Sequence, residues 1–360
     1  MLSIHQFARR FSENTYPNLF VSDFYISILK KYQIQHILLY TICLLLSINS
    51  NAISQGIKFS TSLEDALKNP DSITHLYLED TAITSLEGIG KLKNLQELVI
   101  RNCQITTLPT DIGNLTRLNV LILSNNKITQ LPGEIGNLTN LTFLQLSGNC
   151  LTRLPNEISK LVNLTSFLLT HNFLTVLPNE IGKLKNLMAL HLNNNNIEFL
   201  PDSIIYLKNL QSLYLSNNKL KFLPENFGDF RFLKDLQLTN NQIKILPASI
   251  GKARVLKTFY INQNRLKKIP DEIGNLSFLT TLHLAQNKIR SLPDEIGKLT
   301  QLTRLSLAHN RLRSLPKTLF SMRLYKLFLG NNRFSKPEQR RIKKLLPYCK
   351  VFFNDAIQLK

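Results

Sequence analysis

Histidine, cysteine and carboxylate side chains carry most protein chemistry near neutral pH, and in this chain they are scattered. His75, His171, His191, His283 and His309 each stand in a different stretch of the sequence. A metal centre needs three or four converging ligands. Only His171 and His191 could approach one another, and no third ligand accompanies them. Cys103, Cys150 and Cys349 make an odd set, so at least one thiol is free or pairs between chains. Cys43 lies in an apolar run without the small residues just before it that lipidation would require. No Gly-rich phosphate loop, HExxH or GxSxG occurs, and the tail after Ser335 is too short for a further catalytic domain. The expectation is a protein without catalytic residues, metal or cofactor, whose work is binding.

Composition supports that class. The 360 residues are 43% hydrophobic and 19% charged, enough to bury a large core and to exclude wholesale disorder. Lys and Arg number 44 against 24 Asp and Glu, a net charge of +20, which makes polyanions the default non-specific partners.

The residues that could bind are positioned by a repeat. Leu95, Leu118, Leu141, Leu164, Leu187, Leu210, Leu233, Leu256, Leu279 and Leu302 follow one another at intervals of 23 residues. The unit from Leu118 to Asn140 reads LNVLILSNNKITQLPGEIGNLTN, and irregular outer units beginning at Ile73 and Leu324 bring the number to about twelve. LxxLxL reads as a short strand with its leucines turned inward and the residues between them outward. Strands about 4.8 Å apart then form a parallel sheet on the concave side of an arc. At the ninth place stand Asn126, Asn149, Asn172, Asn195, Asn218, Asn241, Asn264, Asn287 and Asn310. Their amides are expected to satisfy backbone groups where the chain leaves the strand. The Leu-Pro that follows fixes a bend, and Asn156 or Asp271 is expected to cap a brief helical or 3-10 turn. Cys103 occupies an asparagine slot and is expected to be buried. It lies two strand spacings from Cys150, roughly 10 Å and beyond disulfide reach.

Because one unit cannot bury its own apolar face, the ends need caps. Residues 53–72 form the expected N-terminal cap, with SLEDALKN at 62–69 as a helix capped by Ser62; residues 73–334 carry the repeats. Residues 335–360 form the expected C-terminal cap, a basic helix from Pro337 through Leu346 and a last strand from Lys350 to Phe353.

Two surfaces emerge. The fifth place of each unit is the outward position between the strand leucines: Tyr77, Val99, Ile122, Gln145, Leu168, His191, Tyr214, Gln237, Tyr260, His283, Ser306 and Phe328. From His191 onward the column mixes rings with an amide, a composition favoured at recognition surfaces. His191, Tyr214, Gln237, Tyr260, His283 and Phe328 are the candidate partner-binding residues. Val99, Ile122 and Leu168, with Phe143 beside them, are expected to expose an apolar patch. The second surface is a basic ridge just past the ninth place. Lys219, Lys221, Lys244, Arg265, Lys267, Lys268, Arg290 and Arg313 are its candidate anion-binding residues, continued by Lys288, Arg311 and Arg333. Lys160, Lys183 and Lys298 each follow a carboxylate by three residues and are expected to pair with it.

The amino terminus carries an address. Lys30-Lys31, the apolar run Ile34 to Ile48 and Ser50-Asn51-Ala52 have the layout of a secretory signal spanning 30–52, with cleavage after Ala52. A signal anchor is the alternative, because residues 1–29 form an extension ahead of it and the natural start is expected near Leu29. The cleaved chain stays strongly basic and has no expected transmembrane span.

Three passages, LEDALKNP at 63–70, the LPxEIGxLxN repeats, and RRIKKLLPYCKVFF at 340–353, resemble the bacterial leucine-rich-repeat family with 23-residue units that is expanded in pathogenic spirochaetes. The resemblance implies an α/β fold: a single horseshoe solenoid with a parallel concave sheet, short helical or 3-10 convex turns and helical caps. It also implies a secreted, periplasmic or cell-surface protein that binds a host or bacterial surface protein, in the manner of an adhesin. An anionic glycan or lipopolysaccharide held at the basic edge is the alternative partner. Export and the want of a reading element argue against nucleic acid.

Overall fold

The computed structural model describes residues 58–354, so the extension, the signal segment and Cys43 lie outside the described residues. The described chain forms one 14-stranded sheet, all parallel, with the strands in sequence order. They are β1 (Phe59–Ser60), β2 (His75–Glu79), β3 (Glu97–Arg101), β4 (Val120–Ile122), β5 (Phe143–Gln145), β6 (Ser166–Leu168) and β7 (Ala189–His191). There follow β8 (Ser212–Tyr214), β9 (Asp235–Gln237), β10 (Thr258–Tyr260), β11 (Thr281–His283), β12 (Arg304–Ser306), β13 (Lys326–Phe328) and β14 (Lys350–Phe352). Strands β2 to β13 belong to the repeats read from the sequence; β1 has no counterpart in that reading.

Register follows the leucine spacing. Leu98, Leu121, Leu144, Phe167, Leu190, Leu213 and Leu236 stand opposite one another on successive strands. Every one of them is fully buried. Each strand is only a few residues long because the next turn must leave the sheet plane before the following leucines can enter the core.

The departure from the strand is held by the ninth-place asparagines. Asn172 donates from Nδ2 to the carbonyls of Leu146 at 2.9 Å and Leu169 at 3.1 Å, and its Oδ1 accepts from the Leu151 amide at 3.0 Å. Asn195 repeats the set with Leu169, Leu192 and Leu174. One amide thus satisfies groups of its own unit and of the unit before, within a core that offers no water. Cys103, in the same slot, is buried and donates more weakly to the carbonyls of Arg101 at 3.2 Å and Leu78 at 3.5 Å. The eighth residue, just before this asparagine, takes the left-handed conformation, with φ of 56° at Asn125 and 57° at Asn194 and Asn217. Asparagine tolerates that region better than most residues.

After Leu-Pro the chain makes a 3-10 turn, as at Asn156–Lys160 and Asp271–Asn275. The expected caps are corrected here. Asn156 and Asp271 are the first residues of their turns, the cap positions belong to Pro155 and Pro270, and neither turn has a side-chain cap bond. Proline at φ near −70° aims its carbonyl into the turn, where the amide of Ile158 meets it at 3.2 Å.

Helix α1 (Leu63–Lys68) has Ser62 at its N-cap, accepting from the Asp65 amide at 3.3 Å, and buries Ala66. Helix α2 (Lys336–Leu345) has Ser335 in the same role for Glu338 and buries Ile342. Leu63, Leu67, Val351 and Phe353 pack against the core. Among the described residues no helix is long and apolar enough to cross a membrane.

Candidate functional site

Pairing of the strands converts the fifth-place residues into a physical row. Tyr77, Val99, Ile122, Gln145, Leu168, His191, Tyr214 and Gln237 follow one another across β2 to β9. Tyr260, His283, Ser306, Phe328 and Phe352 continue the row to β14.

Along this row the rings interact in pairs. His191 stacks on Tyr214 with centroids 4.1 Å apart and planes 11° from parallel, and its Nε2 lies 3.3 Å from Ser212 Oγ. Tyr260 meets His283 edge-on at 4.7 Å. Phe328 stacks on Phe352 at 4.8 Å. Beside them Asp235 is buried and accepts from Thr258 Oγ1 at 2.7 Å, while Arg304 stands exposed on β12.

Burial divides the row. His191 and Tyr214 are buried, whereas Gln237, Tyr260, His283 and Phe328 are half-buried. Val99, Ile122 and Phe143 are also buried, at 2%, 1% and 7% exposure, and Leu168 is half-buried. The exposed apolar patch expected from them is therefore absent; outward direction on a strand does not guarantee access to water.

Electrostatics follow the burial. It holds His191 down to about 4. At His283 burial, helped by the Arg304 charge, gives the same value of about 4. Burial raises the Tyr260 hydroxyl above its ordinary range. Glu97, at the other end of the face, is pushed up to about 7 by burial against the pull of Arg101. Around neutrality the ring-bearing half of the face thus presents neutral imidazoles and phenols.

His171 and His191 are each engaged by a different partner. His171 sits in a left-handed turn with Asn194 Nδ2 3.1 Å from its Nε2, and His191 is engaged on the sheet as described. Among the described residues no three His, Cys, Asp or Glu side chains gather to hold a metal. Cys103, Cys150 and Cys349 are all free, and burial lifts the Cys349 thiol to about 11.

On the flank where the strands end, Lys219, Lys221, Lys244, Arg265, Lys267, Lys268, Arg290 and Arg313 are all exposed. Lys221 is engaged, bonding Glu198 Oε2 at 2.6 Å and lying 5.0 Å from the Phe199 ring centre. The pairing expected at Lys160, Lys183 and Lys298 is found only at Lys298, 3.9 Å from Glu295. Exposed helix-spaced pairs are weak and compete with hydration.

Two features escaped the sequence reading. The last residue of several units is an asparagine that forms a second ladder: Asn140, Asn163, Asn186 and Asn209 donate to the carbonyls of Thr116, Thr139, Val162 and Lys185 at 2.8 to 3.0 Å. Its signal was present in the LxN of the repeat. The other is a line of exposed apolar residues one place beyond the basic ridge: Val176, Phe199, Phe222 and Ile245. They recur at the repeat interval of 23, which a search for polar chemistry passes over.

Comparisons with known proteins agree with this geometry. A family profile described as a leucine-rich repeat region matches residues 72–172 and 249–331. A second, leucine rich repeat, matches 162–220 and 185–243. No curated protein matches at a significant level. Among solved structures, the chain is similar to a leucine-rich-repeat protein of Leptospira interrogans, 32% identical over 82% of this chain and 100% of that one, TM-score 0.56. It is similar to an internalin of Listeria monocytogenes, 25% identical over 80% of this chain and 82% of that one, TM-score 0.70. The Arabidopsis receptor kinase HAESA, solved with the peptide hormone IDA and a co-receptor, is 28% identical over 76% of this chain and 52% of its own length, TM-score 0.59.

Proposed function

The chain belongs to the leucine-rich-repeat family, whose solenoid serves as a protein-protein interaction module, and from that premise we propose that this member is exported and grips a protein or peptide through its sheet face. The partner in this reading is a host or bacterial surface protein, and the narrower affiliation is with the 23-residue spirochaete group. The observation that carries it is the half-buried run Gln237, Tyr260 and His283 on three adjacent strands, continued to Phe328. Rings fixed by rigid strands lose little conformational freedom on binding, and each offers apolar area with a polar tip or an amide neighbour. A receptor similar to this chain is solved with a peptide hormone, which supports a peptide-like ligand. The export part rests on Lys30-Lys31 and the apolar run that follows.

The test is capture of extracellular proteins on the immobilised chain, wild type against Tyr260→Ala with His283→Ala. Loss of the captured species with an unchanged circular dichroism spectrum supports the reading; capture of the same species by both proteins overturns it. Mass spectrometry of the amino terminus in the native protein checks export, and an uncleaved, intracellular chain refutes it.

A further inference from the structure

Val176, Phe199, Phe222 and Ile245 occupy one place in four consecutive units, and their exposures of 52%, 39%, 54% and 66% make a continuous apolar row on the strand-end flank. Phe173 adds a fifth large side chain, 52% exposed, and the Phe199 and Phe222 rings lie 5.0 Å apart. An apolar row of this length on an exposed edge is a contact surface rather than a scatter of single residues. From the third of these units onward the adjoining place is cationic: Lys221, Lys244, Lys267, Arg290 and Arg313 succeed one another at the same interval, all exposed. Only Lys221 has a carboxylate partner among the described residues.

Apolar side chains and lysines stand side by side where the rows overlap, at Lys221-Phe222 and Lys244-Ile245. A surface with protruding apolar side chains beside a parallel line of cations suits a partner that combines apolar depth with negative charge. We infer that the strand-end flank is a docking face for an anionic lipid bilayer, with Phe199, Phe222 and Ile245 at the level of the acyl boundary and Lys244, Lys267 and Arg290 on the headgroups. A soluble sulfated glycan would use the cations and leave the apolar row idle, and binding of an acidic peptide in place of a bilayer is an outcome of the test below.

The test uses the full chain, so that the apolar run at 34–48 contributes equally to every protein compared. Wild type, F199S/F222S/I245S and K244E/K267E/R290E are sedimented with vesicles of phosphatidylcholine alone and with about one-third phosphatidylglycerol. Wild type is expected to bind the anionic vesicles about tenfold more than the neutral ones, and each triple variant to lose about tenfold on the anionic vesicles. Equal binding by wild type and F199S/F222S/I245S overturns the inference, because attachment would then lie elsewhere in the chain. So does capture of heparin or of a Glu-rich peptide by wild type without vesicle binding. Phe222→Trp guards against a folding artefact, since the chain has no other Trp. Its emission should shift to the blue on anionic vesicles and be quenched by brominated lipid; an unshifted spectrum on vesicle-bound protein rejects the inference.

Discussion

A single asparagine in this fold does the bonding that a longer turn would otherwise need. Replacing Asn195 by Ala would leave the buried Leu174 amide without its acceptor, while the Leu169 and Leu192 carbonyls would each keep one donor, Asn172 and Asn218. One orphaned buried amide costs about 1–3 kcal/mol, so the variant should lose stability in that range, read as a lower urea midpoint. Loss within a few tenths would mean water enters that layer. His191 makes a second prediction. Its folded value of about 4 lies below the ordinary imidazole range, so on acidification the unfolded chain takes up a proton that the folded one refuses. Stability should therefore fall between about pH 6.5 and 4, by at most ~3 kcal/mol from this group. His191→Gln should flatten that part of the profile. Glu97 runs the other way: its value of about 7 means the half-buried carboxyl destabilises the fold as pH rises from about 4.5 through 7. Glu97→Gln should therefore gain most at pH 8 and nothing at pH 4. The identity of the ninth-place residue was legible in the sequence because its role is local and repeated. The burial of Val99, Ile122 and Phe143 was not, because exposure on a strand depends on what stands beside it in space, and period-two alternation gives only direction.

Elements here are set by spacing between neighbours more than by their own propensities. In the 3-10 turn Gly133–Asn137, a Cβ on Gly136 would stand 2.6 Å from the Glu157 carbonyl of the next unit, whereas one on Gly133 would meet only the flexible end of the Glu157 side chain at 3.4 Å. Gly136→Ala should cost about 1–3 kcal/mol through forced separation of the turns, and Gly133→Ala should be close to neutral. Thermal unfolding of the two variants decides it; equal midpoints would show that the turns slide apart freely. The later units hint at the tolerance, since Ser159 and Ile205 occupy the corresponding place. The turns themselves were foreseen, but their caps were assigned to Asn156 and Asp271 by the rule for α-helices. A 3-10 turn opened by proline needs no side-chain acceptor there, because the proline carbonyl closes the first bond.

At the scale of the molecule, the repeat separates its surfaces by chemistry. The ring-bearing part of the sheet face contains neutral His191 and His283 and the phenols of Tyr214 and Tyr260, and the strand-end flank carries the apolar row and the cations. Solution conditions should distinguish partners of the two. Recognition across the face rests on shape, ring contact and amide bonds, so raising salt from about 50 to 200 mM should change its affinity by less than a few-fold, while a partner held by five or six cations would weaken by orders of magnitude. The same reasoning covers pH: with both histidines neutral down to about 4, face binding should be level from pH 8 to 5. Isothermal titration with a captured partner at two salts and two pH values therefore assigns it. A steep salt dependence would place that partner on the flank, and a loss between pH 7 and 5 would mean that an imidazole charges in the complex. The first result would rule out the sheet face as the proposed binding surface even though the fold would stand, whereas the second would keep binding on the face and overturn the neutral histidines.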